Sequence, residues 1–134
     1  MKVTLAENAG FCFGVERAVE LTEEALKQGA VYCIGDLIHN RDVVKRLKEK
    51  GLVTVRSAEE VPAGGRVIIR SHGVAKKAFD TLREHQCGIV DATCPRVSRI
   101  HKIAARAEAD GRLVVIFGEP AHPEVQGICG WCSK

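Results

Sequence analysis

Residues 66–95 read RVIIRSHGVAKKAFDTLREHQCGIVDATCP. Arg66–Arg70 is a short apolar run of the kind that forms a buried strand, and it ends on the polar step Ser71-His72-Gly73. Ala75–His85 has helical spacing, and Gly88–Asp91 is a second short strand. Pro95 suits the first turn of a further helix, where its missing N–H would have no partner anyway. Strand, helix, strand and helix in so short a span predict parallel βαβ units.

The same alternation extends in both directions. Upstream, Val3–Ala6 reads as a strand, Gly14–Gln28 as a helix stopped by Gly29, and Ala30–Ile34 as a buried strand. Arg41–Lys50 is a helix ended by Gly51, Leu52–Val55 a strand, and Ser57 caps a brief turn before the loop Pro62-Ala63-Gly64-Gly65. Downstream, the helix begun at Pro95 runs to Gly111, Arg112–Phe117 reads as a strand, and Pro123 opens a short helix. The expected fold class is α/β, built of repeated βαβ lobes with small, mostly parallel sheets.

A repeat lies inside this pattern. Cys12-Phe13-Gly14-Val15-Glu16-Arg17-Ala18 and Cys94-Pro95-Arg96-Val97-Ser98-Arg99-Ile100 each place Val three residues and Arg five residues after the cysteine. Gly29 and Gly111 each follow their cysteine by 17 residues. His39 follows Cys12 by 27 residues, and His122 follows Cys94 by 28. Any two βα units share a glycine stop, so the cysteine and histidine positions carry the repeat.

In open α/β sheets, ligands bind beyond the carboxyl ends of the strands. Cys12 and Cys94 each follow a strand and precede a helix, and His39, His72 and His122 also follow strands. Five reactive side chains should therefore share one edge. At a helix N-terminus the dipole favours thiolate, the form that ligates iron or zinc. Taken singly, either cysteine reads as a small buried group, and a strand-end histidine as a hydrogen-bonded structural residue. Three histidines at equivalent positions form a cluster that could hold phosphate oxygens, with the Ser71 hydroxyl and the permissive Gly73 backbone beside them. Glu124 stands two residues after His122. It reads either as a proton carrier or as a carboxylate complementing the helix dipole. His85 and His101 read as solvent-facing helix residues, and Cys33 and Cys87 as structural. Cys129-Gly130-Trp131-Cys132 has the spacing of a redox dithiol, but that motif ordinarily opens a long helix.

Composition narrows the classes. Lys plus Arg number 20 against 17 Asp plus Glu, with six aromatics and 46% apolar residues. So small a basic surplus, without a dense basic run, does not describe a nucleic-acid-binding face. No apolar stretch reaches the roughly 18 residues of a membrane-spanning helix, and Glu7 interrupts any secretory leader. Six cysteines in 134 residues are too few for a disulfide scaffold. A cytoplasmic setting is expected, where cysteines serve metals or catalysis more often than cystines.

Several motifs carry a family resemblance. Ala9-Gly10-Phe11-Cys12-Phe13-Gly14-Val15, Ile38-His39-Asn40, Ser71-His72-Gly73-Val74, Asp91-Ala92-Thr93-Cys94-Pro95 and His122-Pro123-Glu124-Val125 closely resemble those of the LytB family. The resemblance covers essentially the whole chain. Members of that family are 4-hydroxy-3-methylbut-2-enyl diphosphate reductases of the non-mevalonate isoprenoid pathway. The resemblance implies three similar α/β lobes with pseudo-threefold symmetry around a [4Fe-4S] cluster, held by one cysteine per lobe with one iron open to substrate. Residues 1–13 would then contribute a strand to a third lobe, 14–94 would form the first lobe, and 95–134 would begin the second. By the same resemblance Cys12 and Cys94 are metal ligands, and His39, His72 and His122 line the diphosphate pocket. Glu124 belongs to the proton-delivery network that expels the allylic hydroxyl as water. Ferredoxin or flavodoxin is implied as the donor of two electrons, giving isopentenyl and dimethylallyl diphosphates. Family members are about twice as long, so the third cysteine is expected beyond Lys134, and the chain is expected to be an inactive fragment. Two other classes remain open from the residues alone: a non-catalytic anion-binding α/β module, and a thiol oxidoreductase working through Cys129 and Cys132.

Overall fold

Four short strands form one parallel sheet: β1 (Val31–Ile34), β2 (Leu52–Val55), β3 (Arg66–Ile69) and β4 (Gly88–Asp91), in spatial order β2-β1-β3-β4. The structure is a computed structural model, and it describes residues 1–7 and 9–132. Five α-helices accompany the sheet: α1 (Phe13–Leu26), α2 (Arg41–Glu49), α3 (Lys76–Glu84), α4 (Pro95–Ala109) and α5 (Pro123–Cys129), with a 3-10 turn at Ala58–Glu60.

Local chemistry sets the helix limits. The Asn40 side chain accepts from the Val43 N–H at 3.1 Å, which caps α2. Arg46 and Lys48 sit in its last turn, where cations complement the dipole. Gly51, at φ +109°, then turns the chain into β2 in a left-handed conformation that other residues adopt at a cost. Pro95 occupies the first turn of α4.

Both faces of the sheet are covered. Val31, Cys33 and Ile68 point to one side and pack with Ala18, Val19 and Ala25 of α1 and Val44 and Leu47 of α2. Ile34, Val67 and Ile69 point to the other side and pack with Leu82 of α3 and with Ala58, Val61 and Val74. Continuous apolar strands are what a doubly covered parallel sheet requires. The chain leaves β1 in one direction, through α2 to β2. It then returns past β1 to β3 and moves on in the opposite direction, through α3 to β4. Right-handed crossovers in opposite directions place α2 and α3 on opposite faces. The direction reverses between β1 and β3.

Two expected strands are not formed. Residues 3–6 and 112–117 carry no regular structure. Val3, Leu5, Leu113 and Phe117 are all strongly exposed. A strand exists only through a hydrogen-bonded neighbour, and neither segment has one among the described residues. The repeat is therefore realised in complementary halves: α1 and β1 of the first unit, β4 and α4 of the second. Among the described residues, no helix is long and apolar enough to cross a membrane.

Candidate functional site

The turns that leave β1 and β3 stand where the strand order reverses, the usual ligand position in such sheets. His39 comes from the first turn and His72 from the second; their ring centroids lie 4.3 Å apart. His122, which caps α5, brings a third ring to 5.4 Å from His39 and 5.9 Å from His72. Three imidazoles distant in sequence thus form one group: His39 and His72 from strand ends, as expected, and His122 from the start of α5, since the strand expected before it is not formed.

Their protonation differs by environment. Burial first, and then the neighbouring His39, Arg70 and His122, together bring the pKa of His72 down to about 4. His72 is therefore neutral at pH 7. Its Nδ1 is buried and has no hydrogen-bond partner among the described groups, an arrangement that suits a ligand atom. The His122 Nδ1 accepts from the Glu124 N–H at 3.2 Å. A neutral His122 ring must then carry its proton on Nε2, as a donor. Glu124 is half-buried in the first turn of α5.

Ser71 joins the parts of this edge. Its N–H and its Oγ both donate to the Leu37 carbonyl oxygen at 3.2 Å, and its own carbonyl oxygen accepts from the Cys94 N–H at 2.9 Å. The turn bearing His39, the turn bearing His72 and the start of α4 are thereby locked together. The Ser71 hydroxyl, expected to face a ligand, is instead buried and committed to the backbone. Gly73 fulfils the expectation of a permissive backbone: its φ is +71°, and a Cβ there would lie 2.5 Å from the His101 ring.

Cys12 and Cys94 are the N-cap residues of α1 and α4. The two helix starts meet closely. A Cβ on Gly14 would lie 2.6 Å from the Cys94 Sγ, so the space that thiol occupies exists because residue 14 is glycine. The Arg17 guanidinium donates to the carbonyl oxygens of Thr93, at 3.4 Å, and Asp91, at 3.2 Å. It ties the first helix to the loop carrying the second cysteine. The sequence pattern marks this arginine, five residues after Cys12, but does not disclose its partners. All six cysteines are free thiols. Two free thiols at helix N-termini are, in kind, the donors an iron–sulfur cluster takes. In number they fall short, since no group of three or more His, Cys, Asp or Glu is arranged for a metal among the described residues.

The remaining candidates also find places. His101, expected to face solvent, is 4% exposed and stacks on Trp131 at 5.3 Å. Its spacing from Val97 and Ala104, four and three residues away, places it on the buried face of α4. His85 is half-buried, with Nδ1 3.1 Å from the Val61 carbonyl oxygen. Cys33 is buried, and its thiol pKa is pushed up to about 12 by burial. Cys129 and Cys132 stand at the end of α5 rather than at the start of a helix. Between them, the Trp131 indole N–H donates to the Val74 carbonyl oxygen at 2.9 Å.

The fold and site define an α/β protein in which paired helix-capping cysteines adjoin a three-histidine edge. The LytB protein family matches residues 3–134, and the chain belongs to that family. A 4-hydroxy-3-methylbut-2-enyl diphosphate reductase of Caldanaerobacter subterraneus subsp. tengcongensis is 43% identical over 138 aligned positions, spanning 99% of this chain and 48% of that protein. Among solved structures, the E-1-hydroxy-2-methyl-but-2-enyl-4-diphosphate reductase from Plasmodium falciparum superposes with TM-score 0.90 at 29% identity, over 95% of this chain and 41% of that one. A structure of (E)-4-hydroxy-3-methyl-but-2-enyl diphosphate reductase, the terminal enzyme of the non-mevalonate pathway, superposes with TM-score 0.79 at 46% identity, over 96% and 46%. The chain spans about half the length of the relatives it matches.

Proposed function

We propose that this chain forms part of a 4-hydroxy-3-methylbut-2-enyl diphosphate reductase and carries the diphosphate-binding histidines together with two cluster thiolates. The observation that carries the reading is the convergence of His39, His72 and His122 into one group whose turns are bonded, through Ser71, to the backbone of Cys94. Membership of the LytB family and the names of its relatives support the same activity.

In this reading the three imidazoles donate to the diphosphate oxygens. His72 does so as a neutral ring, and His122 through Nε2. Glu124, two residues from His122, holds a proton for the departing allylic hydroxyl, which leaves as water. Cys12 and Cys94 would hold a [4Fe-4S] cluster with a third cysteine from the longer protein. When bound, that cluster supplies one-electron reduction and a Lewis-acidic iron. Two electrons and two protons convert the substrate to isopentenyl or dimethylallyl diphosphate and water, with ferredoxin or flavodoxin as the donor. A cytoplasmic setting, where cysteines serve metals more often than cystines, goes with this reading.

The lobe boundaries belong to this proposal as well. Residues 14–94 form the first lobe, residues 1–13 lend a strand to another, and 95–134 begin the second. The uncovered apolar side chains of residues 3–6 and 112–117 support it, because each segment has strand composition and no strand partner among the described residues. Turnover would then need the missing lobes, while diphosphate binding would begin here.

Calorimetric titration with 4-hydroxy-3-methylbut-2-enyl diphosphate, against the corresponding diol, tests the reading. We expect heat of binding for the diphosphate only, and about tenfold weaker binding in His72→Asn or His122→Asn, the loss of one hydrogen bond to a charged group. Equal binding of the diol, or variants that bind like the parent, would overturn it.

A further inference from the structure

Arg70 ends the apolar run that begins at Arg66, just beyond β3, and neither motif nor repeat gives it a role. It stands between the two turns that carry His39 and His72. Its Nε donates to the Gly73 carbonyl oxygen at 3.1 Å. Its Nη1 lies over Gly35, so close that a Cβ at that position would collide with it. Gly35 follows β1 at φ +73°, and Gly73 follows His72 at φ +71°. Both glycines hold left-handed backbone, and a side chain on Gly35 would expel the guanidinium. The Arg70 side chain therefore touches both the Gly35 turn and the Gly73 turn, where the strand order reverses.

Among the described residues its guanidinium forms no ion pair with a carboxylate. Asp36 is the acidic group that acts on it, and Asp36 is instead paired with Lys48 at 3.8 Å. The Cys33 thiol, also facing it, is protonated and neutral. His72 is neutral at pH 7, so it brings a hydrogen-bond donor but no charge to the edge. Arg70 is the fixed cation next to it. A planar fork that contacts two turns at once also holds geometry in a way that a lysine ammonium does not.

We propose that Arg70 is a positioning residue of the three-histidine site: it clasps the Gly35 and Gly73 turns, sets the spacing of His39 and His72, and supplies the fixed positive charge that draws an oxyanion to them. The inference rests on reading that site as a diphosphate pocket. It assigns Arg70 no contact with the reacting atoms.

Inorganic pyrophosphate is the probe. It is titrated into the full chain, Arg70→Lys and Arg70→Gln, with the histidine ring signals followed by NMR and unfolding curves recorded alongside. In the parent, the His39, His72 and His122 signals shift together and saturate. Arg70→Gln weakens binding about tenfold or more, and its His72 titrates closer to the ordinary value of 6.5. Arg70→Lys keeps the charge but not the fork, and recovers only part of the affinity. A residue that merely supported the fold would lower the unfolding midpoint and leave the His72 titration in place. Arg70→Gln binding within twofold of the parent, with His72 unmoved, overturns the proposal. Should Arg70→Gln fail to fold, Arg70→Lys decides, and binding equal to the parent overturns the clasp. A parent that does not bind pyrophosphate refutes the pocket reading itself, and the inference with it.

Discussion

His72 carries the clearest electrostatic signature in the molecule. In the unfolded chain it takes a proton near 6.5, and in the folded protein near 4. Between these values the unfolded state binds more protons, so folding stability is complete above pH 6.5 and declines as pH falls toward 4. His101, also lowered by burial, adds in the same direction. His72→Asn removes the larger contribution. Urea midpoints at pH 7 and pH 5 should therefore differ less in the variant than in the parent, and an equal difference would show that His72 is not held neutral by the fold. At this scale the meeting of His39 and His72 was legible, because strand ends in a parallel sheet share one edge, whereas His122 joins them from the start of α5 with no strand before it. The use of the Ser71 hydroxyl was not, since its acceptor at Leu37 lies 34 residues away and no local pattern marks it. His101 was legible in principle: Val97, His101 and Ala104 share one helical face, and that spacing outweighs the polarity of one residue.

The helices were readable because their ends are local chemistry. Asn40 caps α2, Pro95 opens α4, and Gly29, Gly51 and Gly111 each turn out of a helix at positive φ. The segment 112–117 was not, because strand composition does not supply the neighbour that makes a strand. The meeting of α1 and α4 lies between these cases, and Gly14 decides it. Helix propensity alone favours alanine over glycine by about 0.8–1 kcal/mol. Against that stands the Cys94 Sγ, 2.6 Å from where the new methyl would sit. Either the thiol swings outward or the helix starts separate. We expect Gly14→Ala to show none of the stabilisation that propensity promises, and Cys94 to be alkylated faster by iodoacetamide. A stabilised variant with unchanged Cys94 reactivity would mean that the two helix starts are not in contact.

The whole molecule is one doubly covered sheet whose reactive groups stand at the edge where its winding reverses. Its interior is complete between β2 and β4, with Val31, Cys33, Leu47, Val67, Ile68, Ile69 and Leu82 fully enclosed. Its apolar surface is left open at residues 3–6 and 112–117, on segments that read as strands. The sheet from β1 to β4 was legible from strand and helix alternation alone. The segment 112–117 was not, because it has no strand to pair with among the described residues.

In the proposed function Cys12 and Cys94, and not the Cys129–Cys132 pair, are the thiolates that take up iron and sulfide. Anaerobic reconstitution with iron and sulfide, with a small thiol present to complete the coordination, tests it most directly. The expected result is a broad brown absorbance with bound iron and acid-labile sulfide in the parent, lost in Cys12→Ser and in Cys94→Ser and retained when Cys129 and Cys132 are both replaced by serine. No uptake by the folded parent, or uptake that survives loss of Cys12 and Cys94 and disappears with Cys129 and Cys132, would contradict it.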